Sequence, residues 1–433
     1  MRKKTVYSTC AATAFLFVLG GASLITSGTA LSNRSLIPAP ILEIDPQATA
    51  STGEVRALVI VTDFADTSYE SNRLSDDTMQ NYLFGSGKSD CYPCENLTDY
   101  FDRASYGALH MTGDVYHYTA SGNIADYESS EYGYELLVQE VLSGLNDTID
   151  YTQYDGNHDG YIDALCLSVP TGGNADFWYG CTATWYMTDL TDTDGMKLYH
   201  YVISDEQPYD DTMSYYLSTL THEYGHCMGL PDYYRYKTID GWQATTGAGG
   251  IERMDEAEGD FCSLSKLLLG WYSSSEIQTF DLEGKESQTF TLSDDSLSGS
   301  CLLLLKESSD GYFSEYFLVD YLTPSANYDG LFTDGGVRIY HVDLDRAIDE
   351  WNTPYLKYDN FSPDYDSSGT GKRLIRLANE NGDFYSAGAT IDASVSGFHW
   401  YDESGKETVS SGYTISVDSI SDGKCKLTVT LAK

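Results

Sequence analysis

Two histidines four residues apart, His222 and His226, stand in the string Thr221-His222-Glu223-Tyr224-Gly225-His226-Cys227-Met228-Gly229-Leu230-Pro231-Asp232. On a helix that spacing places both imidazoles on one face, where they can hold a single metal ion. Glu223 sits beside the first histidine and points toward the same cavity. There it can take a proton from an attacking water without being a ligand. Gly229 is placed to end the helix in a sharp, left-handed turn. That turn brings Asp232 back as an oxygen ligand. Two imidazoles, one carboxylate and an open fourth position make the catalytic arrangement of Zn2+. With only 8 His in 433 residues, such a string is a rare chance event. The bland alternative is a surface helix with two ordinary histidines.

A second oxygen-rich string runs Asp155-Gly-Asn157-His-Asp159-Gly160-Tyr161-Ile-Asp163. Alternating carboxylate and carboxamide side chains, with the carbonyl of Tyr161, can fold around a hard cation, and we expect a structural Ca2+ there. The loop departs from an EF-hand, because its twelfth position is Cys166 and a strand follows. The competing account is a solvated turn. His200, between two tyrosines, falls on a possible edge strand that a substrate could join, or it is a half-buried strand histidine. His110, His117, His341 and His399 show no ligand spacing.

The elements that must position these groups follow from periodicity. Apolar runs at 57–62 and 161–169 read as buried strands. Helical spacing predicts helices over 96–105, over 134–145 with Leu136, Leu137, Val141 and Leu145 inward, and over 215–228 and 261–271. After about residue 273 short strand-like runs alternate with Gly, Asp and Ser clusters: 288–292, 301–306, 315–321, 337–342, 374–377 and 425–431. Residues 359–372 read as a flexible loop. The organisation expected is a leader at 1–30, a linker or short pro-segment at 31–54, a catalytic domain at 55–273 and a β-rich, sandwich-like domain at 274–433.

The leader reads as a secretory signal peptide: Arg2, Lys3 and Lys4, an apolar run at 11–19, then small residues at 28–30. The chain carries 66 acidic against 25 basic residues, a formal net charge of -41. That balance excludes a nucleic-acid footprint and docking on an anionic membrane. No later stretch is long and apolar enough to span a bilayer. Eight cysteines beyond Cys10 suit an exported chain with up to four disulfides, and Cys91-Tyr-Pro-Cys94 is read as a loop disulfide rather than a redox pair.

The His222–Asp232 string resembles the secreted bacterial zinc metallopeptidases of the immune inhibitor A family, whose motif is HExxHxxGxxD. Residues 99–107, 249–255, 265–271, 316–319 and 336–343 resemble further segments of that family, so the likeness spans about 55–345. The resemblance implies an α+β chain with a metzincin-like catalytic domain. It implies one catalytic Zn2+ on His222, His226 and Asp232, Glu223 as general base, and Met254 as the methionine turn beneath the metal. Some metzincins carry a transition-state tyrosine two residues after that methionine. Here the position is Glu256, leaving Tyr233 and Tyr234 as substitutes. The expected function is a secreted, monomeric endopeptidase acting on extracellular proteins or peptides. The alternatives are a zinc-dependent amidase on a non-protein substrate, or a calcium-dependent secreted binding protein with a vestigial zinc site.

Overall fold

The computed structural model describes residues 34–89, 91, 94–170, 176–187, 190–234, 247–255, 258–360, 371–378 and 384–432. The leader expected at 1–30, Glu256 and most of the loop expected at 359–372 lie outside the described residues. Among the described residues no helix is long and apolar enough to cross a membrane. The chain is α+β, with five sheets among the described residues.

The first half is built on a five-stranded sheet in the order β2-β1-β3-β5-β4. Its strands are β1 (Gly53–Asp63), β2 (Leu109–Thr119), β3 (Ala164–Ser168), β4 (Cys181–Thr184) and β5 (His200–Ser204). Four strands are parallel and β4 closes one edge antiparallel to β5. The alternation of side chains across a strand sorts the apolar run of β1 between two cores. Ala57 and Val59 face one core, Leu58 and Ile60 the other. A sheet covered on both faces explains why these strands read as unbroken apolar runs. Helix α4 (Gly133–Leu145) covers the second core with Leu137, Val138, Val141 and Leu142. Leu136, expected inward, is 42% exposed. Leu137 and Val141 are buried as expected and Leu145 packs against the same core, so Leu136 alone departs from that reading. Helices α1 (Asp76–Phe84), α2 (Leu97–Ala104), α5 (Met213–Cys227) and α6 (Ser263–Leu268) all give side chains to the first core. A one-turn helix, α3 (Ile124–Glu128), precedes α4.

The second half repeats this layering. The strands β6 (Ile277–Thr279), β7 (Ser287–Ser293), β8 (Cys301–Leu305), β9 (Glu315–Leu322) and β10 (Gly336–Asp343) are followed by a hairpin of β11 (Arg346–Ile348) and β12 (Pro354–Leu356). Then come β13 (Ile375–Leu377), β14 (Thr390–Ile391), β15 (His399–Tyr401), β16 (Glu407–Ser410), β17 (Tyr413–Ser421) and β18 (Lys424–Leu431). The sheet β13-β10-β9-β8-β6 turns Leu302, Leu304, Phe317 and Ile339 toward the sheet β14-β17-β18-β7. Its other face sends Leu303, Leu318, Tyr340 and Val342 into the first core. That core therefore draws on residues from both sides of position 273.

Two expectations need correction. Residues 34–54 do not run as an exposed linker: Ile41 and Ala48 are buried, and Thr49 N–H donates to Cys227 O at 2.8 Å. The segment is apolar enough to wrap the end of α5. The loop disulfide is not formed either. Cys94 is a buried free thiol and Cys91 faces Ser214 Oγ at 3.4 Å. The cysteines of the two halves pack as small apolar side chains.

One polar cluster sits inside the second half. His341 on β10 bonds Glu315 at 2.9 Å through Nε2 and Glu407 at 2.7 Å through Nδ1. Lys306 and Arg376 pair with the two carboxylates from outside. Burial alone would push Glu315 up. Hydrogen bonds from His341, Lys306 and the Tyr401 N–H outweigh it and bring its pKa to about 2. Burial lowers His341, and the two carboxylates outweigh it to leave the imidazole raised. The Glu315 contribution to stability is thus present above its unfolded pKa of about 4.3 and lost as pH falls toward 2. The His341 contribution is present below about 6.5 and lost as pH rises through its raised folded value. Urea unfolding should show His341→Ala losing ~3–5 kcal/mol, because two buried carboxylates are left facing each other. The loss should shrink as pH rises above neutrality. A loss under ~1 kcal/mol at pH 6 would mean that the cluster is solvated.

Candidate metal centre

Helix α5 packs Met213, Tyr216, Leu217, Leu220, Tyr224 and Cys227 into the first core. This apolar stripe at three- and four-residue spacing fixes the helix rotation. His222 and His226 therefore emerge on the opposite face. The helix stops where Gly229, at φ 92°, takes the left-handed conformation. A Cβ there would also lie 2.9 Å from Ile41 Cγ1 of the wrapping segment. Leu230 N–H returns to Gly225 O at 3.1 Å, and the chain doubles back to Asp232.

The three side chains converge. Asp232 Oδ1 lies 3.2 Å from His222 Nε2 and 3.1 Å from His226 Nε2. Among the described residues this is the one group of three His, Cys, Asp or Glu whose ligand atoms all lie within 4.8 Å of one another. Each imidazole has its other nitrogen against a backbone carbonyl: His222 Nδ1 at 2.7 Å from Arg253 O, His226 Nδ1 at 2.7 Å from Leu230 O. A carbonyl only accepts, so both Nδ1 atoms carry a proton, and each ring in its neutral form turns its Nε2 lone pair to the common centre. Burial lowers the pKa of His226, but its hydrogen bond to Asp232 outweighs this and raises it to about 9. Burial works against the Asp232 carboxylate, yet the two imidazoles hold it well below the usual range. Three electron-pair donors with braced rings are the donor set that Zn2+ takes, so the residues present fit that ion.

The centre opens into a cleft of ≈ 710 Å³, with Thr182 and Thr184 of the edge strand on one side and Leu356 of the β11–β12 hairpin among its other walls. Glu223 lies in this cleft, buried, and the Thr182 hydroxyl is within donating distance of its Oε2 at 2.8 Å and of its backbone O at 2.9 Å. Behind the helix, Met254 Sδ would be 2.4 Å from a Cβ at position 225. Glycine is thus required where the methionine passes closest to α5. The two tyrosines separate. Tyr233 is fully buried with its hydroxyl bonded to Ser265, whereas Tyr234 lines the cleft. His200 lies at the start of β5, which is interior to the sheet, and the edge strand is β4. Its ring lines the cleft with Nε2 on Asp45 at 2.8 Å and Nδ1 on Thr184 at 3.1 Å.

Beneath the ligands runs the turn 247–255. Asp255 accepts the backbone N–H groups of Gly247, Ala248 and Gly250, each at 2.9 Å. The buried Arg253 guanidinium reaches Tyr100 on α2 and Gly259 O. That fixes the carbonyl which His222 uses. Sequence reasoning missed Thr182, Arg253 and Asp255. Only the proximity of 249–255 to the expected methionine turn marked the last two.

The loop 155–163 is placed differently. Asp155 accepts Asp159 N–H and Gly160 N–H, each at 3.0 Å, and Asp163 accepts Gly156 N–H at 2.7 Å. Its side chains thus serve the loop's own backbone. Asn157 donates to Asp159 at 2.9 Å, and Tyr161 accepts at its hydroxyl from Gln47 at 2.6 Å.

No protein-family model matches the chain, and no curated protein matches its sequence. Among solved structures, it is similar to the crystal structure of wild-type OgpA from Akkermansia muciniphila at 13% identity and a TM-score of 0.25, over 63% of this chain and 72% of that one.

Titration of the chelator-stripped protein with Zn2+ should therefore separate two classes of variant. His226→Ala and Asp232→Ala each leave two donors and should weaken binding by at least ~100-fold. Thr182→Val, which touches Glu223 but no ligand, should bind as the parent does. Stoichiometric, tight zinc in Asp232→Ala would remove that carboxylate from the ligand set.

Proposed function

We propose that the chain is a zinc-dependent endopeptidase acting on extracellular proteins or peptides. The observation that carries this reading is the convergence of His222, His226 and Asp232 beside a non-ligating, buried glutamate in an open cleft. A zinc ion held by those three residues would supply Lewis acidity to a substrate carbonyl and lower the pKa of a water. Glu223 takes the proton of the attacking water and hands it to the departing amine. Thr182 would help to hold the Glu223 carboxylate, since its hydroxyl stands 2.8 Å from Oε2 and 2.9 Å from the backbone O of the same residue. Tyr234, which lines the same cleft, would hydrogen-bond the oxygen that becomes anionic. Among the described residues β4 is an edge strand, and it lines the same cleft, which suits an extended peptide. The resemblance of the His222–Asp232 string to the immune inhibitor A family supports the same reading, including a metzincin-like arrangement around Met254 and export by the leader.

The test is cleavage of casein or gelatin by the purified full chain, lost with 1,10-phenanthroline and restored by zinc. Glu223→Gln should keep its zinc and lose ~10²–10⁴-fold in kcat, the usual worth of such a base. Thr182→Val should lose roughly tenfold, the size of one hydrogen bond to a charged group. Zinc binding with no cleavage of either protein would move the reading to another amide. Full activity in Glu223→Gln would sink the mechanism.

A structural Ca2+ in the loop 155–163 belongs to the same proposal. Burial, set against a hydrogen bond from Gly156 N–H and joined by the neighbouring Asp159 and Asp155, pushes Asp163 up to about 7. A cation held by Asp155, Asn157, Asp159, Asp163 and the carbonyl of Tyr161 would relieve that crowding. Calcium should then raise the melting temperature, and the double variant Asp155→Ala, Asp159→Ala should lose most of the rise. An undiminished rise in that variant places the effect elsewhere on the acidic surface.

A further inference from the structure

We propose that Asn360, 128 residues beyond the last ligand in sequence, is a positioning residue of the metal centre that acts through Asp232. The proposal rests on the zinc reading above. Asn360 is fully buried. Its Nδ2 donates to Tyr233 O at 2.6 Å and to Ile375 O at 2.7 Å, while its Oδ1 accepts Ile375 N–H at 3.2 Å. Two carbonyls facing one side-chain atom require an –NH2, and the amide orientation is fixed by the Ile375 N–H on the other side. Tyr233 directly follows Asp232. Its own N–H donates to Met254 O at 2.8 Å. Both peptide groups flanking Tyr233 are thereby held, one by the turn beneath the metal and one by Asn360. What they fix is the backbone that aims the Asp232 carboxylate.

The packing around this contact leaves little slack. A Cβ at Gly247 would lie 1.7 Å from Tyr233 O and 2.3 Å from Asn360 Nδ2. Leu377 N–H, on the strand that Asn360 braces, donates to Gly247 O at 3.1 Å. Asn360, β13 and the turn 247–255 therefore form one hydrogen-bonded support under Asp232. In Asn360→Asp the volume and the acceptor for Ile375 N–H remain, but a carboxylate is set against two carbonyl oxygens. Tyr233 O then has no donor and a repulsive neighbour. The chain at Asp232 is free to shift, and the third ligand is loosened while both histidines stay braced by Arg253 O and Leu230 O.

The experiment uses Co2+ as the probe, titrated into the chelator-stripped full chain and followed by its visible d–d absorption. Asn360→Asp and Asn360→Ala should bind Co2+ ~10–100-fold more weakly, the usual cost of losing an outer support of a metal ligand. Their absorption should shift toward that of Asp232→Ala. In the Asp232→Ala background the Asn360 substitution should cost nothing further in affinity, since the two act through one ligand. Folding is followed in parallel by circular dichroism and thermal melting. A folded Asn360 variant with parental affinity and spectrum overturns the proposal. So does an additive loss in the double variant, or a failure of both single variants to fold, either of which assigns Asn360 a purely architectural part. Absence of Co2+ binding by the parent protein would instead overturn the zinc reading on which the proposal stands.

Discussion

Three electron-pair donors directed at one point are mutually unfavourable unless something with positive charge shares that point. The closeness of Asp232 Oδ1 to two imidazole Nε2 atoms is the constraint from which the surrounding structure follows. It requires that both rings be turned by their far nitrogens, and backbone carbonyls of Arg253 and Leu230 do this. It requires α5 to stop within three residues of His226, which Gly229 does. It also requires Gly225, because a side chain at that position would collide with Met254. Each of these is a backbone or glycine requirement. The motif is therefore as much a specification of chain path as of ligands.

That chain path is held by both halves of the molecule. The first core runs from Ile41 through Leu377, and the turn 247–255 is tied to the second half by Arg338 on Gly249 O and by Leu377 on Gly247 O, each at 3.1 Å. The sheet that carries Arg338 is buried on both faces. It transmits the rigidity of a packed interior to the floor of the site. A division at residue 273 describes a change of secondary structure. It does not describe a break in packing, since the apolar surface of α5 is completed by strands on the far side of it.

The convergence of His222, His226 and Asp232 was legible because chemistry and local spacing coincide there: these residues, Glu223 and Gly229 lie within eleven residues. The strands β8, β9 and β10 were legible because a sheet buried on both faces is rich in apolar residues, unbroken in β8 and interrupted by Asp320 in β9 and by Arg338 and His341 in β10. What stayed hidden depends on contacts distant in sequence. Asn360 falls in a Ser-, Asp- and Gly-rich stretch that reads as solvated loop, and its burial follows only from the approach of Tyr233 and Ile375. Thr182 is an ordinary strand threonine until β4 lands on the edge beside α5. Residues 34–54 looked like a linker because Pro and Ala carry no periodicity, yet Ile41 is placed by the same Gly229 that ends the helix. The cysteines misled in the opposite direction: an even count suggested crosslinks, while Cys94, Cys166, Cys227, Cys262, Cys301 and Cys425 are buried as core atoms.

The supports of the site fall into two kinds with different mutational consequences. The rings of His222 and His226 are oriented by carbonyl oxygens, which no substitution removes. Their bracing fails only if the backbone itself moves. Asp232 has no such guarantee. Its aim depends on the two peptide groups about Tyr233, one of which is held by the Asn360 side chain, and on a turn whose N–H groups are gathered by the Asp255 side chain. A carboxylate also swings through a wider range than an imidazole fixed at both nitrogens. Asp232 is thus the adjustable member of the trio. Side chains well away from the cleft, in the turn and in the second half of the chain, bear on its backbone, whereas the two histidines are set by the helix and its end.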